Sequence, residues 1–131
     1  FSEKSSRNRK LVATDCKQLF IDCQKFSFSP DGKLVAAGNK DGNRISVMEL
    51  ITDTKGKGSL HELILLCICY RGFFSSHLKS ITFSPDNEFL LVTSDTGKMH
   101  VFHIGAFVSA KNNLRTVRKN ELKSIMCISL E

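Results

Sequence analysis

FSFSPDGKLV, at residues 26–35, returns 55 positions later as ITFSPDNEFL, at residues 81–90, and this repeat is the strongest indication of the fold. In both copies a serine-proline-aspartate turn separates two short stretches rich in β-branched and aromatic residues, which is the pattern of a strand, a tight turn and a strand. Gly42 and Gly97 keep the same offset, and each precedes an apolar alternation, ISVM at 45–48 and MHVF at 99–102. One unit is therefore predicted to be a meander of three strands with a glycine turn before the third.

Such a meander has one apolar face and needs a neighbour to cover that face. Four-stranded meanders that recur along a chain are typical of β-propeller blades. We therefore predict an all-β protein, a partial β-propeller whose 131 residues carry about two four-stranded blades, and the repeat resembles the WD-repeat type. A small sandwich or barrel stays open as the alternative.

Composition and turn residues predict four segments along the chain. They are an N-terminal flank at 1–24 with weak strands at 11–14 and 19–21, the first meander and its loop at 25–58, an outer strand and the second meander at 59–104, and a basic loop with a last strand at 105–131. The other strands are expected at 25–28, 34–37, 44–50, 60–70, 78–83, 89–93, 98–104 and 125–130, with a loop at 52–59.

Length and composition exclude several classes of protein. With 41% hydrophobic and 24% charged residues, the chain has the balance of a single globular domain, and its formal charge is +6. It has no apolar run of 18 residues, so no transmembrane helix is expected. Because it also lacks the GxSxG, HExxH and phosphate-loop motifs, we expect neither an enzyme nor a cofactor.

The cysteines and histidines do not predict a metal site. The cysteine count is odd and no CxxC pair occurs, which favours reduced thiols in an intracellular protein over disulfides or zinc. His100 and His103 are three positions apart, so on a strand they would point to opposite faces. The five cysteines are Cys16, Cys23, Cys67, Cys69 and Cys127.

Three further stretches carry a family resemblance. CYRG at 69–72 stands where the PROPPIN (WIPI-type) propellers have a Phe/Leu-Arg-Arg-Gly motif, and TSDTGKMHVF at 93–102 resembles the strand-turn-strand that follows it in that family. GNRISVM at 42–48 is similar to the corresponding stretch of the preceding blade. The resemblance covers roughly residues 26–104. It implies a seven-bladed propeller that binds phosphatidylinositol 3-phosphate or the 3,5-bisphosphate in autophagy or endolysosomal traffic.

The resemblance also implies which residues bind the lipid headgroup. The family has two sites on the rim, and the second matches Arg71, Thr93, Ser94 and His100 in this chain. A guanidinium offers a rigid fork of donors to a phosphate, hydroxyls add neutral donors, and a protonated imidazole donates from both nitrogens.

The first of the two sites departs from the family pattern. Tyr70 replaces one arginine of the motif, and Ser46 replaces an arginine of the preceding blade. We therefore expect this site not to bind, although Arg44 lies two residues from Ser46 on the same strand face and would compensate weakly.

The basic segment at 105–124 resembles, by its position, a loop that inserts into the membrane in PROPPINs. The membrane contacts that this implies are Phe107, Lys111, Leu114, Arg115, Arg118 and Lys119. Each Lys or Arg near an anionic leaflet contributes about 1 kcal/mol. The alternative is a solvated loop. The expected location is cytoplasmic and peripheral, on endosomal, vacuolar or autophagosomal membranes.

Two other classes of function are compatible with the pattern. A WD-type scaffold would hold protein partners on its rim, with Arg71 as a solvated strand-end charge and His100 in a structural hydrogen bond. Nucleic acid could attract the basic stretch, but aromatic stacking platforms are missing beside it: the chain has no Trp, and Tyr70 is its one Tyr. We therefore expect phosphoinositide membranes and protein partners, and no nucleic acid.

Overall fold

Two antiparallel blades make up the part of the chain that the computed structural model describes, residues 10–11, 22–52, 60–109 and 121–129. Their elements in chain order are β1 (Lys10–Leu11), β2 (Lys25–Phe28), β3 (Leu34–Gly38), β4 (Arg44–Thr52), β5 (Leu60–Tyr70), β6 (Leu78–Phe83), β7 (Phe89–Ser94), β8 (Lys98–His103), helix α1 (Gly105–Ser109), β9 (Glu121–Lys123) and β10 (Met126–Ser129). The first blade is β2-β3-β4-β5 and the second is β6-β7-β8-β10. The predicted pair of four-stranded blades is confirmed.

The strand boundaries agree closely with the prediction. The outer strand β5 has the predicted limits, β4 runs two residues further than expected, and β10 supplies the expected last strand. The predicted weak strand at 11–14 corresponds to β1, which pairs with β5 through Leu11 and Leu63. The expected strand at 19–21 and most of the loop at 52–59 lie outside the described residues.

The repeated turns use the same hydrogen bonds in both blades. The hydroxyl of Ser29 donates to Asp31 Oδ1 at 2.6 Å, and the hydroxyl of Ser84 donates to Asp86 Oδ1 at 2.7 Å. This hydrogen bond is the main reason that the pKa of each carboxyl lies below its usual value. The turn serine and aspartate, which the sequence repeats, therefore make the same local structure twice.

The main hydrophobic core lies between the two blades. Leu34 and Ala36 of β3 point into it, whereas Val35 and Ala37 alternate to the other face and a smaller cluster. All five residues of β3 are buried, because both faces of this strand are covered. The core between the blades contains Leu34, Ala36, Ile45, Val47, Leu66, Cys67, Cys69, Leu78, Ile81, Phe83, Leu90, Val92, Phe102 and Ile104.

The described cysteines are free thiols: Cys23, Cys67, Cys69 and Cys127. Cys67 and Cys69 are buried in the core, as the sequence predicts for small apolar side chains. A hydrogen bond with Cys67 and burial raise the pKa of the Cys69 thiol, which therefore stays protonated. Cys16 lies outside the described residues.

Candidate functional site

A cleft opens on the rim of the first blade, where β5 ends. The chain returns here after α1, and β9 pairs in parallel with the last residues of β5, with Tyr70 opposite Lys123. The cleft has a volume of about 760 Å³, within the range of small-ligand sites. It is lined by Asn43, Arg44, Tyr70, Arg71, Gly72, Phe73, Glu121, Leu122, Lys123 and Ser124.

Arg71 is held in the wall of this cleft by the backbone. Its Nε donates to the carbonyl oxygen of Gly42 at 2.7 Å, and one terminal nitrogen donates to the carbonyl oxygen of Phe74 at 2.5 Å. The Arg71 N–H also donates to the Asn43 carbonyl at 2.8 Å. The side-chain bonds use two of the five guanidinium donors. The charge is therefore fixed in place with donors left for an anion.

His100 lies next to this cleft on β8. Its ring is buried, 7% exposed, and Nδ1 is 3.4 Å from the hydroxyl of Ser124, a residue of the cleft wall. Burial, followed by the positive charges of Arg71 and Lys98, lowers the pKa of His100 below its ordinary value of 6.5. The imidazole is therefore neutral at pH 7, and its other ring nitrogen, Nε2, lies 3.8 Å from Cys127 Sγ.

The two predicted hydroxyls do not line the cleft. Ser94 is buried on the same face of the second blade as His100, and its hydroxyl lies 2.7 Å from the hydroxyl of Thr96 in the following turn. Thr93 lies on the opposite face, where its hydroxyl is 2.6 Å from that of Ser80. The structure thus places Arg71 in the cleft wall and His100 beside Ser124 of that wall, while both predicted hydroxyls bond within the second blade.

Two cations complete the cleft. Arg44 pairs with Tyr70 across β4 and β5, which places the expected compensating residue in the cleft wall. Lys123 arrives on β9, and the sequence analysis missed it as a site residue. The only available signal was the basic character of the segment at 105–124. Three basic side chains against one acid, Glu121, give the cleft wall a positive charge.

Tyr70, which stands in place of the family's first arginine, has a structural contact. Its hydroxyl donates to Glu121 Oε2 at 3.1 Å and so ties β9 to β5. The same hydrogen bond also orients Glu121, the acidic residue of the cleft wall. An anion in the cleft would bind away from this carboxylate. Tyr70 thus helps to hold in place the strand that carries Lys123.

The predicted membrane segment is described only at its start. Phe107 lies in α1 and packs, partly buried, against the core between the blades. Lys111, Leu114, Arg115, Arg118 and Lys119 lie outside the described residues.

The described residues contain neither a metal-ligand cluster nor a membrane-spanning helix. No group of three or more His, Cys, Asp or Glu side chains is placed to hold a metal ion within these residues. None of the helices in the same ranges is long and apolar enough to cross a membrane.

A family model described as BCAS3, WD40 repeat matches residues 3–124, which is nearly the whole chain. This chain belongs to the BCAS3 WD40-repeat family. The match agrees with the two blades of the structure and confirms the WD-repeat prediction.

Curated relatives place the BCAS3-type chain beside the PROPPIN propellers. Ectopic P granules protein 6 of Caenorhabditis elegans is 34% identical over 118 residues, which are 90% of this chain and 26% of that protein. Autophagy-related protein 18 of Meyerozyma guilliermondii is 32% identical over 79 residues, 60% of this chain and 12% of that protein. The chain therefore spans about a quarter or less of the length of these relatives, and the resemblance to PROPPIN-type sequences is confirmed.

Solved structures agree with this family assignment. The structure of Kluyveromyces lactis Hsv2p superposes with a TM-score of 0.60 at 26% identity, and the match covers 83% of this BCAS3-type chain and 32% of the other. A complex of KlAtg21 with the coiled-coil of AgAtg16 matches with a TM-score of 0.50 at 29% identity, over 60% of this chain and 23% of the other.

Proposed function

We propose that this chain supplies the phosphoinositide-binding rim of a PROPPIN-type propeller. The observation that carries the proposal is the positively charged cleft in which Arg71, Arg44 and Lys123 meet beside His100. A phosphorylated inositol presents anionic groups at several ring positions, so three cations around one cleft match its charge. The relatives named for autophagy support a role at autophagic or endolysosomal membranes.

The proposed contacts follow from the geometry of each donor. Arg71, fixed by two carbonyls, would give a phosphate its remaining N–H donors at little entropic cost. His100 would take up a proton when the anion binds, because a nearby negative charge favours the imidazolium. Ser94 and Thr93 would contribute only if their hydroxyls left Thr96 and Ser80. The proposed ligands are phosphatidylinositol 3-phosphate and the 3,5-bisphosphate.

The test is vesicle co-sedimentation of the full-length protein. Vesicles with phosphatidylinositol 3-phosphate, vesicles with the 3,5-bisphosphate and phosphatidylserine vesicles of equal charge are compared. We expect selective pelleting with the phosphoinositides. Arg71→Ala removes a charge-assisted contact worth about 1.5–3 kcal/mol, so affinity should fall by about 10-fold to 100-fold. Lys25→Ala, an exposed lysine of β2 outside the cleft, is the matched control and should bind as the parent does.

A protein-binding scaffold is the second candidate. It is favoured by the hydroxyls of Ser94 and Thr93, which are already used inside the second blade, and by the solved complex of the Atg21 neighbour with a coiled-coil. A scaffold would pellet equally with phosphatidylserine and phosphoinositide vesicles, and Arg71→Ala would bind as the parent does. That result would overturn the lipid proposal.

A further inference from the structure

We propose that Phe73 and Phe74 form an aromatic wedge that enters the bilayer beside the headgroup cleft. The two rings are adjacent in the linker between the blades, and they are 96% and 84% exposed. No other large apolar side chains in the described residues are as exposed as these two. This inference rests on the proposed function, because the cleft would bind the lipid headgroup while the neighbouring loop contacts the acyl chains of the same bilayer.

The backbone that carries the rings is tied down on both sides. Arg71 precedes the rings in the chain, and its side chain donates to the carbonyl oxygens of Gly42 and Phe74. After them, the Ser76 N–H donates to the Asp41 carbonyl oxygen at 2.8 Å, and the Ser76 carbonyl oxygen accepts from Gln24 Nε2 at 3.0 Å. The exposed rings therefore stand on an ordered turn. Such a turn loses little conformational entropy when its side chains insert.

Arg71 links the wedge to the cleft directly. One guanidinium holds the Phe74 carbonyl and faces the anion cleft, and Phe73 itself lines that cleft. A headgroup bound at Arg71 would therefore lie beside the two rings. The acyl chains of the same lipid would then extend along the side of the cleft where the rings stand.

Charge complementarity selects a bilayer as the occupant of this surface. Arg44 and Lys123 carry exposed positive charges on the cleft wall next to Phe73. Cations that meet anionic headgroups, together with apolar side chains that reach the acyl boundary, are the combination that binds interfacial segments to membranes. Phe26 and Phe28 differ, because they lie on a strand face and pack edge to face with each other at 5.8 Å.

The experiment separates headgroup recognition from insertion in the full-length protein. Binding of soluble inositol 1,3-bisphosphate is measured beside binding of phosphatidylinositol 3-phosphate vesicles, at low salt and at ~0.5 M NaCl, where charge interactions are screened. The variant Phe74→Ser changes a ring that is 84% exposed and does not line the cleft, so it should keep its affinity for the soluble headgroup. Its vesicle affinity should fall at least about 10-fold, with the larger loss at high salt, because apolar burial is lost. Phe74→Leu is the matched control and should keep most of the vesicle affinity.

The outcomes distinguish this inference from the proposed function. If the serine variant binds vesicles as tightly as the parent at both salt concentrations, the wedge is refuted while the headgroup site stands. If the parent protein binds neither the soluble headgroup nor phosphoinositide vesicles, the proposed function fails, and the wedge fails with it.

A Phe73→Trp variant gives a second measurement that does not depend on a polar substitution. The fluorescence of the introduced Trp is obtained by subtracting the emission spectrum of the parent from that of the variant. On phosphoinositide vesicles this fluorescence should shift to shorter wavelength, and brominated acyl chains should quench it. If the emission stays unchanged while the variant is bound to vesicles, the wedge is refuted. The same result is expected if the rings contact a protein instead of the bilayer.

Discussion

Phe28 and Phe83 occupy equivalent positions in the two blades, yet Phe28 is 52% exposed and Phe83 is 5% exposed. Phe28 pairs with Val35 and lies on the face of the first blade that points away from the second. Phe83 pairs with Leu90 and lies in the core between the blades. The repeat thus specifies the strand and the face, whereas the packing of a neighbouring blade decides whether that face is buried.

The connection to the outer strand is the second difference between the blades. In the first blade β4 leads to β5 after seven residues, at 53–59. In the second blade residues 104–125 separate β8 from β10, and on the way they form α1 and β9, which pairs with the outer strand of the first blade. The cleft is built by this departure from the repeat, because β9 brings Lys123 and Ser124 to the end of β5.

The prediction with the greatest change in stability compares the truncation of Phe83 with that of Phe28, its equivalent in the first blade. Phe83→Ala should destabilise the chain by about 3–5 kcal/mol, because it opens a cavity in the core. Phe28→Ala should cost about 1 kcal/mol or less, since half of its ring already meets water. Urea unfolding of the two variants measures both costs. Equal costs would contradict the asymmetry between the blades.

The second prediction concerns two glycines of the first blade with positive φ, Gly32 at 74° and Gly42 at 75°. A Cβ at Gly42 would overlap the Ser76 carbonyl oxygen, whereas a Cβ at Gly32 would meet no atom within 4 Å. Gly42→Ala should therefore cost about 3 kcal/mol or more and Gly32→Ala about 1 kcal/mol, by thermal or urea unfolding.

A matched control comes from the second blade. Asn87 takes the position of Gly32 there, with a φ of 61°. Gly32→Asn should therefore be neutral within about 0.5 kcal/mol. A large destabilisation by Gly32→Asn would show that the two turns are not interchangeable.

The smallest expected effect compares His100 with Ser46, its equivalent in the first blade. The folded protein lowers the pKa of His100, so the unfolded chain binds more protons once the pH falls below 6.5. The stability contribution of the neutral imidazole is therefore present above pH 6.5 and lost on acidification. The free energy of unfolding should fall less between about pH 7.5 and about pH 5.5 in His100→Gln than in the parent.

Ser46→His is the control for this comparison. Ser46 pairs with Ala37 and lies on the face of the first blade that points away from the second, so a histidine there lacks the burial beside Arg71. It should add no comparable acid sensitivity. An equal pH dependence in the parent and in His100→Gln would contradict the placement of His100.

Sequence analysis predicted the site in part. Arg71 and His100 were named because each lies in a local motif, and the structure places Arg71 in the cleft wall and His100 beside Ser124 of that wall. Lys123 and Ser124 were missed because their place depends on parallel pairing between β9 and a strand more than 50 residues earlier. No local pattern encodes such a contact. The sequence does not single out Phe73 and Phe74, because apolar residues are common in any sequence and only the fold shows that these two are exposed.

Local sequence patterns are sufficient to specify the blades. Alternating apolar residues, the Ser-Pro-Asp turns and the glycines are local instructions, because strand direction and turn geometry depend on a few neighbouring residues. Which side chains the blades expose or bury depends instead on long-range packing. The burial of Phe83 and the exposure of Phe28 depend on which face meets the other blade. The cleft and its charge depend on a long-range pairing, and the cooperative packing of distant segments is what places those residues side by side.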